Sequence, residues 1–188
     1  MNDEVTAATA ADMRALGRRL AAVLTAGDLV ILSGPLGAGK TTLTQGIGEG
    51  LGIRGPVTSP TFVIARVHPP LAGAQRPAAF GSPARGRAGP APALVHADAY
   101  RVGSALELDD LDLDADTATS VTVVEWGEGL AEGLAEDRLE ITIIPGPAGP
   151  DLAPGEELES SPRTVRVRGV GRRWQDIQLP PAGVSDRL

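Results

Sequence analysis

The chain has 188 residues and a formal net charge of −7, from 17 basic and 24 acidic side chains. Hydrophobic residues make up 42% and charged residues 22%, which excludes wholesale disorder and fits a single globular domain. Cysteine is absent, excluding disulfides, thiol catalysis and cysteine-held zinc. The acidic surplus argues against free-standing nucleic-acid binding.

No apolar run approaches the roughly 18 residues of a membrane span, and no cationic leader precedes an apolar stretch at Met1. The expectation is a cytoplasmic protein with no membrane association. With 24 Gly and 16 Pro, long irregular segments beside a compact core are expected.

In chain order, residues 9–25 predict a helix, with Thr9 and Asp12 as a capping pair and Met13, Leu16, Leu20 and Leu24 on one face. Asp28–Ser33 reads as a buried strand, followed by a glycine-rich turn and a helix from about Gly39 to Leu51. Thr61–His68 is a strand, and 69–93 is a low-complexity Ala/Pro/Gly/Arg insertion. Leu94–Asp98 and Val121–Glu125 are short apolar strands, each ending in an acid; between them, 104–116 reads as a short helix and loop. A helix over 128–136, a strand Arg138–Ile144, a loop 145–162 and a half-exposed strand Arg163–Arg168 complete the pattern. The last twenty residues carry no clear element. The expected fold is α/β: a P-loop NTPase-like, three-layer domain over 1–170, with a tail from 171 to 188. Its central mixed sheet has a parallel core with antiparallel edge strands and is flanked by helices.

Gly34–Thr41 reads GPLGAGKT and meets G-x-x-x-x-G-K-[ST] at each fixed position, between a strand and a helix. Glycines there let the loop Gly34, Pro35, Leu36, Gly37, Ala38 and Gly39 wrap a phosphate and turn its backbone N–H groups inward, Pro35 alone having none to offer. The helix start aims its positive end at the same anion. Lys40 is the only lysine, in a chain that otherwise uses arginine, and an ammonium there reaches β- and γ-phosphates. The Thr41 hydroxyl is a Mg²⁺ ligand in such loops. The guanine-reading N-K-x-D motif is impossible, since Asn2 is the sole Asn, so ATP is the expected nucleotide.

A second carboxylate is needed to hold Mg²⁺ or orient the attacking group, and Asp98 and Glu125 sit at the strand ends where such groups lie. Each is alternatively a cap or a surface acid. Trp126 either stacks on adenine or is a rim aromatic. Thr58–Phe62 (TSPTF) reads either as a γ-phosphate-sensing loop or as a plain turn. Two His and no Cys make a transition-metal site improbable.

Together GPLGAGKTT (34–42), VTSPTF (57–62), HADAYR (96–101) and EWGE (125–128) resemble, in order, the bacterial TsaE family. The resemblance covers about residues 10–170. It implies a Mg-dependent ATPase acting with the TsaB and TsaD proteins to place a threonylcarbamoyl group on adenosine beside the anticodon, in tRNAs reading codons that begin with A. In that family TsaD carries out the transfer, and tRNA is held by the partners. By motif, the resemblance carries Lys40 and Thr41 to phosphate and Mg²⁺, and Thr42 to the adjoining metal-side hydroxyl. It carries Asp98 and Glu125 to metal or water positioning, Trp126 to the base, and Ser59–Thr61 to a switch-like loop. A P-loop small-molecule kinase and a non-hydrolysing, nucleotide-dependent binding module are the alternatives.

Overall fold

A computed structural model of the chain describes residues 1–61, 64–76, 89–109, 117–146 and 161–182. A mixed seven-stranded sheet runs through it in the order β1 (Asn2–Ala7), β9 (Arg163–Val170), β8 (Arg138–Pro145), β2 (Leu29–Ser33), β7 (Ser120–Glu125), β6 (Ala93–Asp98) and β3 (Ala65–His68). Strands β8, β2, β7 and β6 are parallel, whereas β9, β1 and β3 join antiparallel at the two edges. This is the α/β mixed sheet expected. A separate two-stranded ribbon, β4 (Gln75–Arg76) and β5 (Gly89–Pro90), lies within the expected insertion, whose residues 77–88 fall outside the described residues.

Helices α1 (Ala10–Ala21) and α2 (Lys40–Leu51) pack together on one face of the sheet. The Thr9 hydroxyl accepts from Asp12 N, and the Asp12 carboxylate accepts from Thr9 N, satisfying two otherwise orphaned donors. Met13, Leu16 and Leu20 from α1 and Leu43, Ile47 and Leu51 from α2 meet Val30, Leu32, Leu94, Val121 and Val123 of the sheet in one core. Alternate residues Leu29, Ile31, Val95, Ala97 and Val124 point to the opposite face, under α3 (Ala105–Asp109) and Ala131. The two helices touch through glycine: a Cβ on Gly46 would lie 2.2 Å from Arg14 O, and one on Gly17 would lie 2.4 Å from Leu43 O.

Three expectations change. The helix read over 128–136 is only a 3₁₀ turn at Glu132–Leu134, because Gly127, Gly129 and Gly133 weaken helix propagation and Gly129 adopts φ 78°. The N-terminal residues form β1, which no period-2 apolar pattern signals. The segment after 170, in which no element was expected, forms a 3₁₀ turn at Arg172–Trp174, and Trp174, Ile177 and Leu179 enter the α1-side core. Arg173 donates to both Asp28 carboxylate oxygens and to Val23 O, and the Met1 ammonium donates to Trp174 O at 2.6 Å. The loop 147–160, the run 110–116 and residues 183–188 lie outside the described residues. Among those described, no helix is long and apolar enough to cross a membrane.

Candidate functional site

Strand β2 is buried along its whole length and delivers the chain into the glycine-rich turn beside the sheet's centre. Gly34, Gly37 and Gly39 have φ of 142°, 77° and 107°, where an L side chain is strained. At Gly34 a Cβ would also meet Ile143 O at 2.6 Å. Gly39 is the N-cap of α2 and offers no side-chain acceptor, so the first-turn N–H groups are left for a ligand. Lys40 is buried, at 5% exposure; its Nζ donates to Gly34 O (2.7 Å) and Pro35 O (2.9 Å). The Trp126 ring covers the same ammonium, 3.5 Å from Nζ to the ring centroid. Burial lowers the Lys40 pKa from its usual value, opposed by the negative charges of Glu125 and Asp98.

Parallel pairing sets Asp98 opposite Glu125, and Leu32 of β2 opposite the same glutamate, so both acids reach the end of the sheet at the phosphate loop. Glu125 Oε2 accepts from Thr41 Oγ1 at 3.0 Å, and Oε1 lies 2.8 Å from His96 Nε2. Asp98 accepts from Tyr100 N through Oδ1 and from Thr61 Oγ1 through Oδ2, and Thr61 Oγ1 lies 2.7 Å from Ser59 Oγ. The chain then turns back at Trp126, a non-glycine residue with φ 61° whose N–H reaches Leu32 O. Its ring also lies against Tyr100, with centroids 5.1 Å apart.

The resulting cavity holds about 230 Å³ and is lined by Leu36, Gly37, Gly39, Lys40, Thr41, Thr42, Ser59, Thr61, Asp98, Glu125 and Trp126. It has a cradle of glycine backbone with an ammonium, which fits phosphate. It also has two carboxylates and a threonine hydroxyl, the oxygen donors that suit a small hard cation keeping several waters. Among the described residues no group of three or more His, Cys, Asp or Glu side chains converges as an all-protein cage.

The family model described as threonylcarbamoyl adenosine biosynthesis protein TsaE matches residues 7–148. The chain belongs to the TsaE family. It is 55% identical over 163 residues to a tRNA threonylcarbamoyladenosine biosynthesis protein TsaE of Streptomyces coelicolor, covering 86% of this chain and 93% of that one. A Bacillus subtilis TsaE is 37% identical over 165 residues, covering 87% and 84% of the two chains. Among solved structures, Bacillus subtilis YdiB superposes with a TM-score of 0.61 at 27% identity, over 93% of this chain and 89% of that one. As a TsaE-family protein, the chain has a role in tRNA threonylcarbamoyladenosine biosynthesis.

Most residues singled out by sequence come together in this TsaE site. Gly37, Gly39, Lys40, Thr41, Thr42, Asp98, Glu125 and Trp126 line the cavity. Gly34 and Pro35 bind Lys40 through their carbonyls, while Ala38 is buried in the core and does not line the cavity. Leu36 is 79% exposed at the loop's tip. Trp126, for which the sequence offered either stacking on a base or a rim position, has its ring over Lys40 and against Tyr100. Sequence reasoning missed the contact of His96 with Glu125, although the spacing H-x-D on one strand puts His96 on the same face as Asp98, which pairs with Glu125 of the next strand. Tyr100 was also unassigned, and only its aromatic type in an aromatic-poor chain marks it.

Proposed function

We propose that this chain is a Mg-dependent ATPase that supports formation of threonylcarbamoyladenosine in tRNA, acting with the TsaB and TsaD proteins. The observation that carries the reading is the convergence of Lys40, Thr41, Asp98 and Glu125 on one glycine cradle. The N–H groups of the loop and of the first turn of α2 would bind the β-phosphate. Lys40 would exchange the Gly34 and Pro35 carbonyls for β- and γ-phosphate oxygens, as the P-loop lysine does. Thr41, with Asp98 and Glu125, would hold Mg²⁺, which when bound neutralises charge building on the transferring phosphoryl group.

Glu125 and Asp98 are also the acceptors near enough to orient a water. Thr61 donates to Asp98 and is itself hydrogen-bonded to Ser59, which ties the state of their loop to that acid. The net charge of −7 agrees with tRNA being held by the partners rather than by this chain.

The test is phosphate release from Mg-ATP by the purified chain, alone and then with its cognate TsaB, TsaD and tRNA. Release that rises in the full mixture, is lost in Lys40→Ala, and accompanies modified tRNA is the expected result. No release in either mixture, or phosphate transferred to a small-molecule acceptor, would overturn it.

A further inference from the structure

His96 is fully buried, at 0% exposure, on the sheet face it shares with Leu94, Val121 and Val123. A leucine or valine would fill such a position without the cost of desolvating two ring nitrogens. One of those nitrogens is used: Nε2 lies 2.8 Å from Glu125 Oε1. The other, Nδ1, is buried and finds no hydrogen-bond partner among the described residues.

The second oxygen of Glu125 accepts from Thr41, and both residues line the cavity. The carboxylate, itself 3% exposed, is therefore held from behind by one residue and met from the front by another. His68 of β3 closes the arrangement, with its ring centroid 6.4 Å from that of His96 and only 5% of its surface exposed.

We infer that His96 is a positioning residue: it donates from Nε2 to Glu125 Oε1 and so fixes the carboxylate with Oε2 alone turned to Thr41 and the cavity. The inference rests on the proposed Mg-ATP site and adds the device that orients one of its acids. A carboxylate oxygen is an acceptor, so the contact requires the proton on Nε2. The partnerless Nδ1 then carries a lone pair rather than a second buried N–H, which is the less costly arrangement. Partners behind a metal ligand set its orientation, and their loss typically costs about 10- to 100-fold in metal affinity or activity. His96 contacts no cavity space of its own, so its effect on the site passes through Glu125.

The experiment compares wild type with His96→Leu, His96→Gln and His96→Asn. Three readouts are taken: Mg²⁺ affinity of the ADP-bound protein followed by Trp126 fluorescence, the rate constant of ATP turnover at saturating Mg²⁺, and the ¹⁵N signature of His96 in the full chain. His96→Leu should lose about 10- to 100-fold in Mg²⁺ affinity and in turnover, with metal-free ADP affinity and Tm preserved. Glutamine places its amide nitrogen close to the position of Nε2 and should restore both quantities to within a few-fold. Asparagine, whose nitrogen corresponds to Nδ1, should not. A residue with a merely structural role would shift Tm and leave Mg²⁺ dependence alone, with leucine and glutamine equivalent.

Wild type that turns over ATP, together with His96→Leu of unchanged Mg²⁺ dependence, overturns the inference. Wild type that neither binds nor hydrolyses ATP overturns the ATPase reading instead. In that case the ¹⁵N spectrum still decides the contact: an Nε2–H tautomer that changes in Glu125→Gln supports it, and an Nδ1–H tautomer refutes it.

Discussion

The seam between α1 and α2 gives the sharpest test of how the fold holds its glycine-rich loop. Gly46→Ala adds one methyl group, which the backbone places 2.2 Å from Arg14 O and 2.8 Å from Arg14 Cα. Comfortable non-bonded contact is about 3.5–4.0 Å, so the helices must part by about 1.3 Å or more. The obstacle is main chain, which cannot swing aside as a side chain can. The opposing Gly17, whose own Cβ would lie 2.4 Å from Leu43 O, shows that neither helix has slack.

Overpacking of this kind costs about 1–3 kcal/mol and sometimes more, while the better helix propensity of alanine returns about 1 kcal/mol. Separation also opens the Met13, Leu16, Leu43 and Ile47 contacts, so the net loss should be about 2 kcal/mol. For a chain of this length that lowers Tm by about 4–8 °C. Thermal and urea unfolding would measure it, with two glycines as internal controls. The atoms nearest a Cβ on Gly48 belong to the Ile53 and Val57 side chains rather than to main chain, so Gly48→Ala should cost less. Gly133 has nothing within 4 Å, so Gly133→Ala should be neutral or slightly stabilising. A Gly46→Ala variant as stable as wild type, or a Gly48→Ala variant that is worse, would refute the reasoning.

Arg173→Ala should destabilise the chain by about 3 kcal/mol in urea unfolding, because it strands a buried Asp28 and frees the C-terminal segment from Val23. Trp126 should report nucleotide by fluorescence, and Trp174→Phe should keep that signal, since Trp174 is fully buried away from the cavity; loss of the response would place the nucleotide elsewhere. Lys40→Ala should retain the far-UV spectrum and Tm while losing ATP turnover by 100-fold or more, a magnitude of about 2.7 kcal/mol in the barrier. His68 has its pKa pushed below the usual 6.5, by burial first and then by His96 and Arg66. The unfolded chain takes up this proton below about pH 6.5 while the folded one resists. The contribution to stability is therefore full above that pH and declines as pH falls beneath it. His68→Phe should flatten that part of a stability-versus-pH series, and an unchanged slope would exclude His68 as its source.

What could be read from the residues had a local cause. The strand, glycine turn and helix around Lys40 each carry an uninterrupted pattern, and Asp98 and Glu125 stand out as acids closing apolar strands. What could not be read depends on partners far away in the chain. Strand β1 is a polar run, NDEVTA, that becomes a strand only because β9 is there to pair with it, with Glu4 meeting Arg166 across the ladder. The segment after Gly171 is held by distant partners: Arg173 finds Asp28, 145 positions away, Arg19 donates to Pro180 O, and Trp174, Ile177 and Leu179 enter the core. The turn at 128–136 carries a few apolar residues at helical spacing, but its glycines prevail over that pattern. The cover of Trp126 over Lys40 requires a left-handed tryptophan, which no residue type announces.

That covered lysine bears on traffic through the site as well as on binding. An ammonium released from a phosphate would ordinarily have to gather a shell of water in a cramped, half-apolar place. Here two carbonyls and an indole face stand ready to take it back. Each departing nucleotide would leave behind a cation that is already housed, so emptying the site carries little penalty and the loop keeps its shape between rounds. Under the proposed ATPase reading, a lysine with two homes favours quick exchange over tight retention.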